Sequence, residues 1–165
     1  MLAGFEDRPA MKFYVTTAID YPNSLPHLGH AYEKVVADFY ARWHRLLGAE
    51  VRFLTGLDEH GEKIQEAARA EARSPQEFVD ERAQGFRDLC RILSISIDDF
   101  IRTSEPRHHR LAAEFYRLVE ARGDTYPGFY EGQYCVGCEA YYTESQLQEG
   151  RCPVHSTATT RRKGR

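Results

Sequence analysis

Phe13-Tyr-Val-Thr-Thr-Ala-Ile-Asp-Tyr-Pro-Asn-Ser-Leu-Pro-His-Leu-Gly-His30 is the stretch around which the rest of the chain is read. Phe13 to Thr17 is rich in β-branched and aromatic residues, the composition of a buried strand. Asp20 to Pro26 holds Pro22, Asn23, Ser24 and Pro26, so a loop is expected there. From Gly29 a helical pattern begins. Strand, loop and helix in that order place a nucleotide at the carboxyl end of a parallel strand, against a helix N-terminus. His27 and His30 fall at that junction.

Downstream of the junction, Tyr32, Val35, Val36, Phe39, Tyr40, Trp43, Leu46 and Leu47 recur at spacings of three and four. They form one wide apolar stripe, expected to face a core, and Gly48 stands where a left-handed cap would end the helix. The other face, with Lys34, Asp38, Arg42, His44 and Arg45, reads as solvated surface; Glu33, close to the helix start, is set apart from it. Val51 to Leu57 is the second strand and ends in the polar tip Asp58-Glu59-His60-Gly61. Strand, helix and strand make a βαβ unit with a right-handed crossover and parallel strands. The two carboxyl ends then share one edge, and Asp58 and the Ala18–His30 segment are expected to line one crevice.

Glu62 to Arg73 is alanine- and charge-rich, a helix by propensity. Ser74-Pro75-Gln76-Glu77 matches a capping box with proline at the first helical position. The helix it opens carries Phe78, Val79, Arg82, Phe86, Leu89, Cys90 and Leu93 on one face, which makes Cys90 a small core residue. Ile95 to Thr103 reads as extended. Glu105 to Arg122 reads as a helix with Leu111, Phe115, Leu118 and Val119 facing inward and Gly123 closing it. His108 and His109 are adjacent, point in different directions and read as surface residues.

From Tyr126 the composition changes to tyrosines alternating with glycines and turn residues, a small β-rich module. The basic tail with Arg161, Arg162, Lys163 and Arg165 reads as a frayed end, contact with RNA phosphates being the alternative. The division expected is an N-terminal extension over 1–11 (its first ten residues dispensable), an α/β portion over 12–125 and a β-rich portion over 126–165.

Over the whole chain, 22 basic and 25 acidic residues give a net charge of −3 and 42% of residues are hydrophobic. That balance argues against a general affinity for nucleic acid. No apolar run reaches membrane-spanning length, and the N-terminus lacks a signal-peptide layout, so a cytoplasmic protein with no membrane partner is expected.

Of the four cysteines, Cys135, Cys138 and Cys152 cluster late in the chain. Cys135-Val-Gly-Cys138, thirteen residues and then Cys152-Pro-Val-His155 supply four soft or borderline ligands, the set for a tetrahedral structural zinc. Gly137 would permit the tight turn inside the first pair. A redox pair or a chance cluster are the competing readings, and no thioredoxin-like pattern surrounds Cys135 and Cys138.

His-x-x-His alone is a weak pattern, as compatible with two ordinary loop histidines as with a phosphate site. The chain has neither G-x-G-x-x-G nor Walker A. The flanking residues carry more. Tyr21-Pro22-Asn23-Ser24-Leu25-Pro26-His27-Leu28-Gly29-His30 resembles the HIGH motif of class I aminoacyl-tRNA synthetases. Phe13 to Ile19 and Phe53-Leu-Thr-Gly-Leu-Asp-Glu-His-Gly61 resemble the methionyl-tRNA synthetases in particular, and the likeness runs from about Lys12 to about Lys163.

The resemblance implies an α/β fold: the first half of a Rossmann-type nucleotide-binding domain with parallel strands, followed by a small zinc-knuckle insertion. It implies formation of methionyl-adenylate from methionine and ATP with Mg2+, then transfer to tRNA. His27 and His30 would be catalytic, contacting ATP phosphates. Tyr21, Pro22, Asn23, Leu28 and Gly29 would complete the ATP contacts, and Gly29 would pack under the adenosine. Ala18, Ile19, Tyr21 and Asp58 would hold methionine, Asp58 pairing with its ammonium. A Cys₃His knuckle at Cys135, Cys138, Cys152 and His155 would help shape the approach of the tRNA acceptor end. Asp20 and Leu57 depart from the usual pattern, at the pocket edge.

Family members are several times longer and carry a KMSKS loop that does not occur here, so the 165-residue chain alone is expected not to charge tRNA. A separate C-terminal half is one expected partner. The rival readings are a zinc-knuckle module that holds RNA or a protein without catalysis, and another class I synthetase for leucine, valine or cysteine.

Overall fold

In the computed structural model, which describes residues 11–164, the opening strand β1 is Lys12–Asp20 and runs parallel to β2, Glu50–Leu57. The expected extension over the first ten residues lies outside the described residues. β3, Asp99–Arg102, adds in parallel on the far side of β2, giving the order β1-β2-β3. The first strand is longer than its composition indicated. Its ladder shifts register between Thr16 and Ile19 and resumes with Ile19 opposite Gly56 and Asp20 opposite Leu57. Asp20 therefore ends a strand and does not open a loop. A register shift of this kind is invisible to propensity, because it depends on the partner strand.

Helix α1, Leu28–Leu46, connects β1 to β2, and α3, Pro75–Ile92, precedes β3. Gly48 follows α1 with φ +80°, as a left-handed cap requires. Phe53 and Leu57 stand on one face of β2. Ala37 and Ala41 of α1 meet Phe53, Cys90 and Ile95 there, and Leu57 packs with Ala83, Phe86 and Phe100. Cys90 is 3% exposed, the core residue its spacing indicated.

The face of α1 that is buried is not the expected one. Lys34, Ala37, Asp38 and Ala41 are the buried residues. The wide apolar stripe is exposed among the described residues: Tyr32, Val35, Val36, Phe39, Tyr40, Trp43, Leu46 and Leu47 all face outward. Two alanines let the helix approach β2 closely, and Lys34 and Asp38 are buried because each finds a partner. Asp38 accepts hydrogen bonds from Arg42 Nε at 2.6 Å and from the Ser96 backbone N–H at 2.7 Å. Burial opposes its ionisation, but Ser96 and Arg42 outweigh that and hold the carboxyl below its usual range.

The chain divides into two compact units. The first runs to Glu59 and resumes over Gln76–Glu105; the second comprises His60–Pro75 and the residues from Pro106 onward. In the second unit α2 is Glu62–Ala70 and α4 is Pro106–Ala121. No residue of α4 is buried: Leu111, Phe115 and Leu118, expected inside, are exposed among the described residues. An antiparallel sheet of order β5-β4-β6 follows, built from β4, Tyr130–Cys135, β5, Ala140–Tyr142, and β6, Thr160–Gly164.

The basic tail is thus a strand and not a frayed end. Arg161 donates to Glu131 at 2.8 Å. Arg162 grips Glu62 with two nitrogens at 2.6 and 3.0 Å and lies over the Tyr134 ring, while Lys163 lies over Phe129. Arg161, Arg162 and Lys163 each meet a local partner, which a count of charges could not reveal; Arg165 lies outside the described residues. No described helix is long and apolar enough to cross a membrane.

Candidate active site and metal centre

The first site is the N-terminus of α1. His27 is the N-cap, in an extended conformation with φ −130°. Its ring Nδ1 accepts from Gly29 N–H at 3.1 Å, and His30 Nδ1 accepts from His27 N–H at 3.1 Å. This is a capping box made of two histidines, in place of the usual hydroxyl and carboxyl. The rings stack with centroids 3.8 Å apart. Gly29 has a local reason to be glycine: a Cβ there would stand 2.9 Å from His27 Cε1 and displace the capping ring.

The cap decides the chemistry of both rings. A nitrogen that accepts from a backbone N–H carries no proton, so in the neutral state each ring holds its proton at Nε2. Both histidines then offer an Nε2–H donor at a helix N-terminus, where the macrodipole and unpaired N–H groups favour an anion. His30 rests edge-on against Phe86 of α3 at 5.1 Å. Burial holds this ring below the ordinary histidine value; Asp20 and Glu33 oppose that shift, while His27 and Lys34 reinforce it.

Asp58 lies on the same edge of the sheet. Its backbone N–H donates to the Asp20 carbonyl at 2.9 Å, extending the parallel ladder past β2, and Thr103 Oγ1 donates to its Oδ1 at 3.5 Å. Asp20 Oδ1 in turn lies 4.0 Å from His30 Nε2. Parallel pairing thus brings the end of β1, the histidine cap and Asp58 together, as the βαβ reading required. Glu33, one turn into α1, accepts from Ala18 N–H at 3.0 Å and holds the strand end. Ile19 and Tyr21 are each 40% exposed at that edge, and Pro22 is buried. Asn23 and Leu28 are exposed, Leu28 at 84%.

Residue reading alone missed Asp20 and Lys34. Lys34 is 1% exposed, with its ammonium 2.6 Å from Asp20 Oδ2. The available signal was position, because Lys34 stands four residues beyond His30 and so on the same helix face. Glu59 was also read only as part of a polar tip. It is buried, takes Arg102 Nε at 2.6 Å and the Ser104 hydroxyl, and anchors the loop after β2.

The second site lies in the antiparallel sheet unit. Cys135, Cys138, Cys152 and His155 bring one ligand atom each within 4.8 Å of one another. Cys138 Sγ is 3.6 Å from Cys152 Sγ and 3.1 Å from His155 Nδ1; Cys135 and Cys152 Sγ are 4.0 and 3.9 Å from the same nitrogen. Ligands about 2.0–2.3 Å from a tetrahedral zinc would be separated by similar distances. Gly137 lies in the turn inside the first pair, and the neighbouring ring adds a reason for glycine: a Cβ there would stand 2.9 Å from the His155 ring. Burial opposes ionisation of Cys152, but N–H groups of His155 and Val154 pull its thiol down to about 6. A thiol so disposed is ready to act as a metal ligand.

A family model described as tRNA synthetases class I (M) matches residues 13–164. The chain is 48% identical to a methionine–tRNA ligase of Caldanaerobacter subterraneus subsp. tengcongensis over 86% of the chain and 22% of that protein. It is also 48% identical to the chloroplastic/mitochondrial methionine–tRNA ligase of Arabidopsis thaliana, over 92% of the chain and 25% of the relative. The structure of Mycobacterium tuberculosis methionyl-tRNA synthetase in complex with methionyl-adenylate superposes with a TM-score of 0.88 and 40% identity, covering 93% of this chain and 31% of that one. The chain therefore spans between 22% and 31% of the lengths of these relatives. With the matching parallel sheet, the match over residues 13–164 shows that this chain belongs to the class I tRNA synthetases of the methionine group.

Proposed function

We propose that this chain is the part of a methionine–tRNA ligase that binds ATP and methionine for adenylate formation, the first half of its Rossmann-type domain with a zinc-bearing insertion. The observation that carries the reading is the shared edge of the parallel sheet. Two imidazole Nε2–H donors at a helix N-terminus and the Asp58 carboxylate occupy it together. In the reaction, charge develops on the α-phosphate as the methionine carboxylate attacks it and pyrophosphate leaves. Fixed neutral donors and a helix N-terminus stabilise that charge without reorganising. Asp58 is assigned the methionine ammonium, and Ala18, Ile19 and Tyr21 the thioether side chain, for which apolar and aromatic walls suffice.

His27 and His30 are assigned the phosphates. Tyr21, Pro22, Asn23, Leu28 and Gly29 are assigned the rest of the nucleotide, with Mg2+ accompanying ATP. The tRNA acceptor end and the remainder of the ligase, in the same polypeptide or a separate one, are the partners, in the cytoplasm. Cys135, Cys138, Cys152 and His155 would hold a structural zinc, which ties two loops together and supplies no reacting group. The functional division proposed is 12–125 for catalysis and 126–165 for the insertion.

Methionine- and ATP-dependent pyrophosphate exchange tests this. In the longer ligase, His30→Ala and Asp58→Ala should each lower exchange at least about 100-fold, Asp58→Ala acting chiefly through the KM for methionine. The 165-residue chain alone is expected to show no exchange. Full exchange with both variants would refute the assignment.

A further inference from the structure

Lys34 lies one helical turn beyond His30 on α1, with its ammonium 2.6 Å from Asp20 Oδ2 and 3.3 Å from Glu33 Oε2. Asp20 is itself buried, and its other oxygen faces His30 Nε2 at 4.0 Å, beyond hydrogen-bond length. A carboxylate bonded directly to an imidazole draws a proton onto the ring. Here the short contact of that carboxylate goes to the lysine. A buried ion pair commonly adds no stability over an apolar pair of the same volume, so folding alone does not account for one beneath this cap.

We propose that Lys34 is a positioning residue for His30: its buried ammonium engages Asp20, and His30 thereby remains a neutral imidazole seated in the cap with Nε2–H facing the sheet edge. Charge state and position are one property here. Protonation would add a hydrogen at His30 Nδ1, which accepts from His27 N–H at 3.1 Å. Two N–H groups would then oppose each other, the cap bond would break and the ring would leave its place. The groups acting on His30 are Asp20 at the end of β1, His27 in the cap, and Glu33 and Lys34 on α1; α3 presents the apolar ring of Phe86. Burial of the ring is the largest influence against the imidazolium, and His27 and Lys34 add to it; Asp20 and Glu33 favour it. The proposal rests on the phosphate-binding reading only for what the donor is used for.

The test is imidazole proton–nitrogen NMR on the 15N-histidine-labelled chain without substrates, between about pH 4.5 and 8.5, a window spanning the ordinary histidine value. The variants are Lys34→Met, Asp20→Asn and the double variant, with the His30 signals identified by their loss in His30→Asn. In the native chain His30 should be the Nε2–H tautomer. Lys34→Met should raise its titration midpoint, because Asp20 is then unopposed. Asp20→Asn should lower it, and the double variant should return it close to the native position. An unmoved or lowered midpoint in Lys34→Met, or an Nδ1–H tautomer in the native chain, overturns the proposal. If Lys34→Met does not fold, Asp20→Asn decides: a lowered midpoint supports the proposal, and an unmoved or raised one overturns it. These spectra involve no substrate, so their failure is distinct from a failure of pyrophosphate exchange.

Discussion

Removing metal from the Cys135–Cys138–Cys152–His155 centre should unfold the sheet that carries it. Among described residues from Tyr126 onward, the only buried side chains are Cys135 and Cys152, each 1% exposed, and both belong to the ligand set. Tyr126, Phe129, Tyr130 and Val154 are all at least half exposed. Burying two thiols contributes roughly 1–2 kcal/mol apiece. Ordering the backbone alone costs about 1–2 kcal/mol per residue, which a sheet without an apolar core cannot offset. A structural zinc supplies about 10–16 kcal/mol in small finger peptides, enough to reverse the balance. The chain should therefore release close to one zinc when its thiols are blocked, read with a colorimetric chelator. Dialysis against a strong chelator should collapse the amide NMR dispersion of β4, β5 and β6, with the amides of β1 to β3 as the internal reference. Cys152→Ser should do the same without a chelator. Retention of dispersed β4–β6 amides in chain shown by elemental analysis to be metal-free would refute the reasoning.

Gly56 lies in β2 opposite Ile101 of β3, and a Cβ there would stand 2.1 Å from the Ile101 carbonyl oxygen. Gly56→Ala must part the two strands and should cost more than about 3 kcal/mol, as backbone cannot yield the way a side chain can; a urea midpoint near that of the native chain would contradict this. Asp38→Asn tests linkage. The folded Asp38 carboxyl is held below its usual range, so its contribution is complete above the unfolded value and is lost as pH falls through the lowered folded value. The variant should be roughly 1–3 kcal/mol less stable at pH 7 and progressively closer to native in acid; a difference independent of pH would dismiss the assignment. Trp43, the only tryptophan, is 51% exposed on the apolar stripe of α1. Its emission should be red-shifted and readily quenched by acrylamide in the isolated chain, and a blue-shifted, protected indole would show that the stripe is covered.

Much of the site was legible because it is local. The β-branched run before a proline-rich turn, and two histidines three apart at a helix start, each declare themselves within a few residues. The late Cys-x-x-Cys and Cys-x-x-His pairs do the same. Parallel pairing follows from the strand–helix–strand order, and it puts Asp58 on the histidine edge. Helix faces were less legible. Periodicity identifies which residues of α1 lie together, yet the buried face holds Lys34 and Asp38 and the exposed face holds Trp43 and Phe39.

The sequence by itself determined the element order as far as α4, the parallel direction of β1 and β2, the histidine pair and the candidate metal-ligand set. Those depend on backbone propensities and on spacings along the chain. Only the tertiary structure decided that Asp20 ends a strand, that Lys34 is buried against it, and that the histidines cap α1 through their own Nδ1 atoms. Those facts depend on partners distant along the chain and on the balance between losing water around a charge and gaining an ion pair. Only the assembled fold settles that balance.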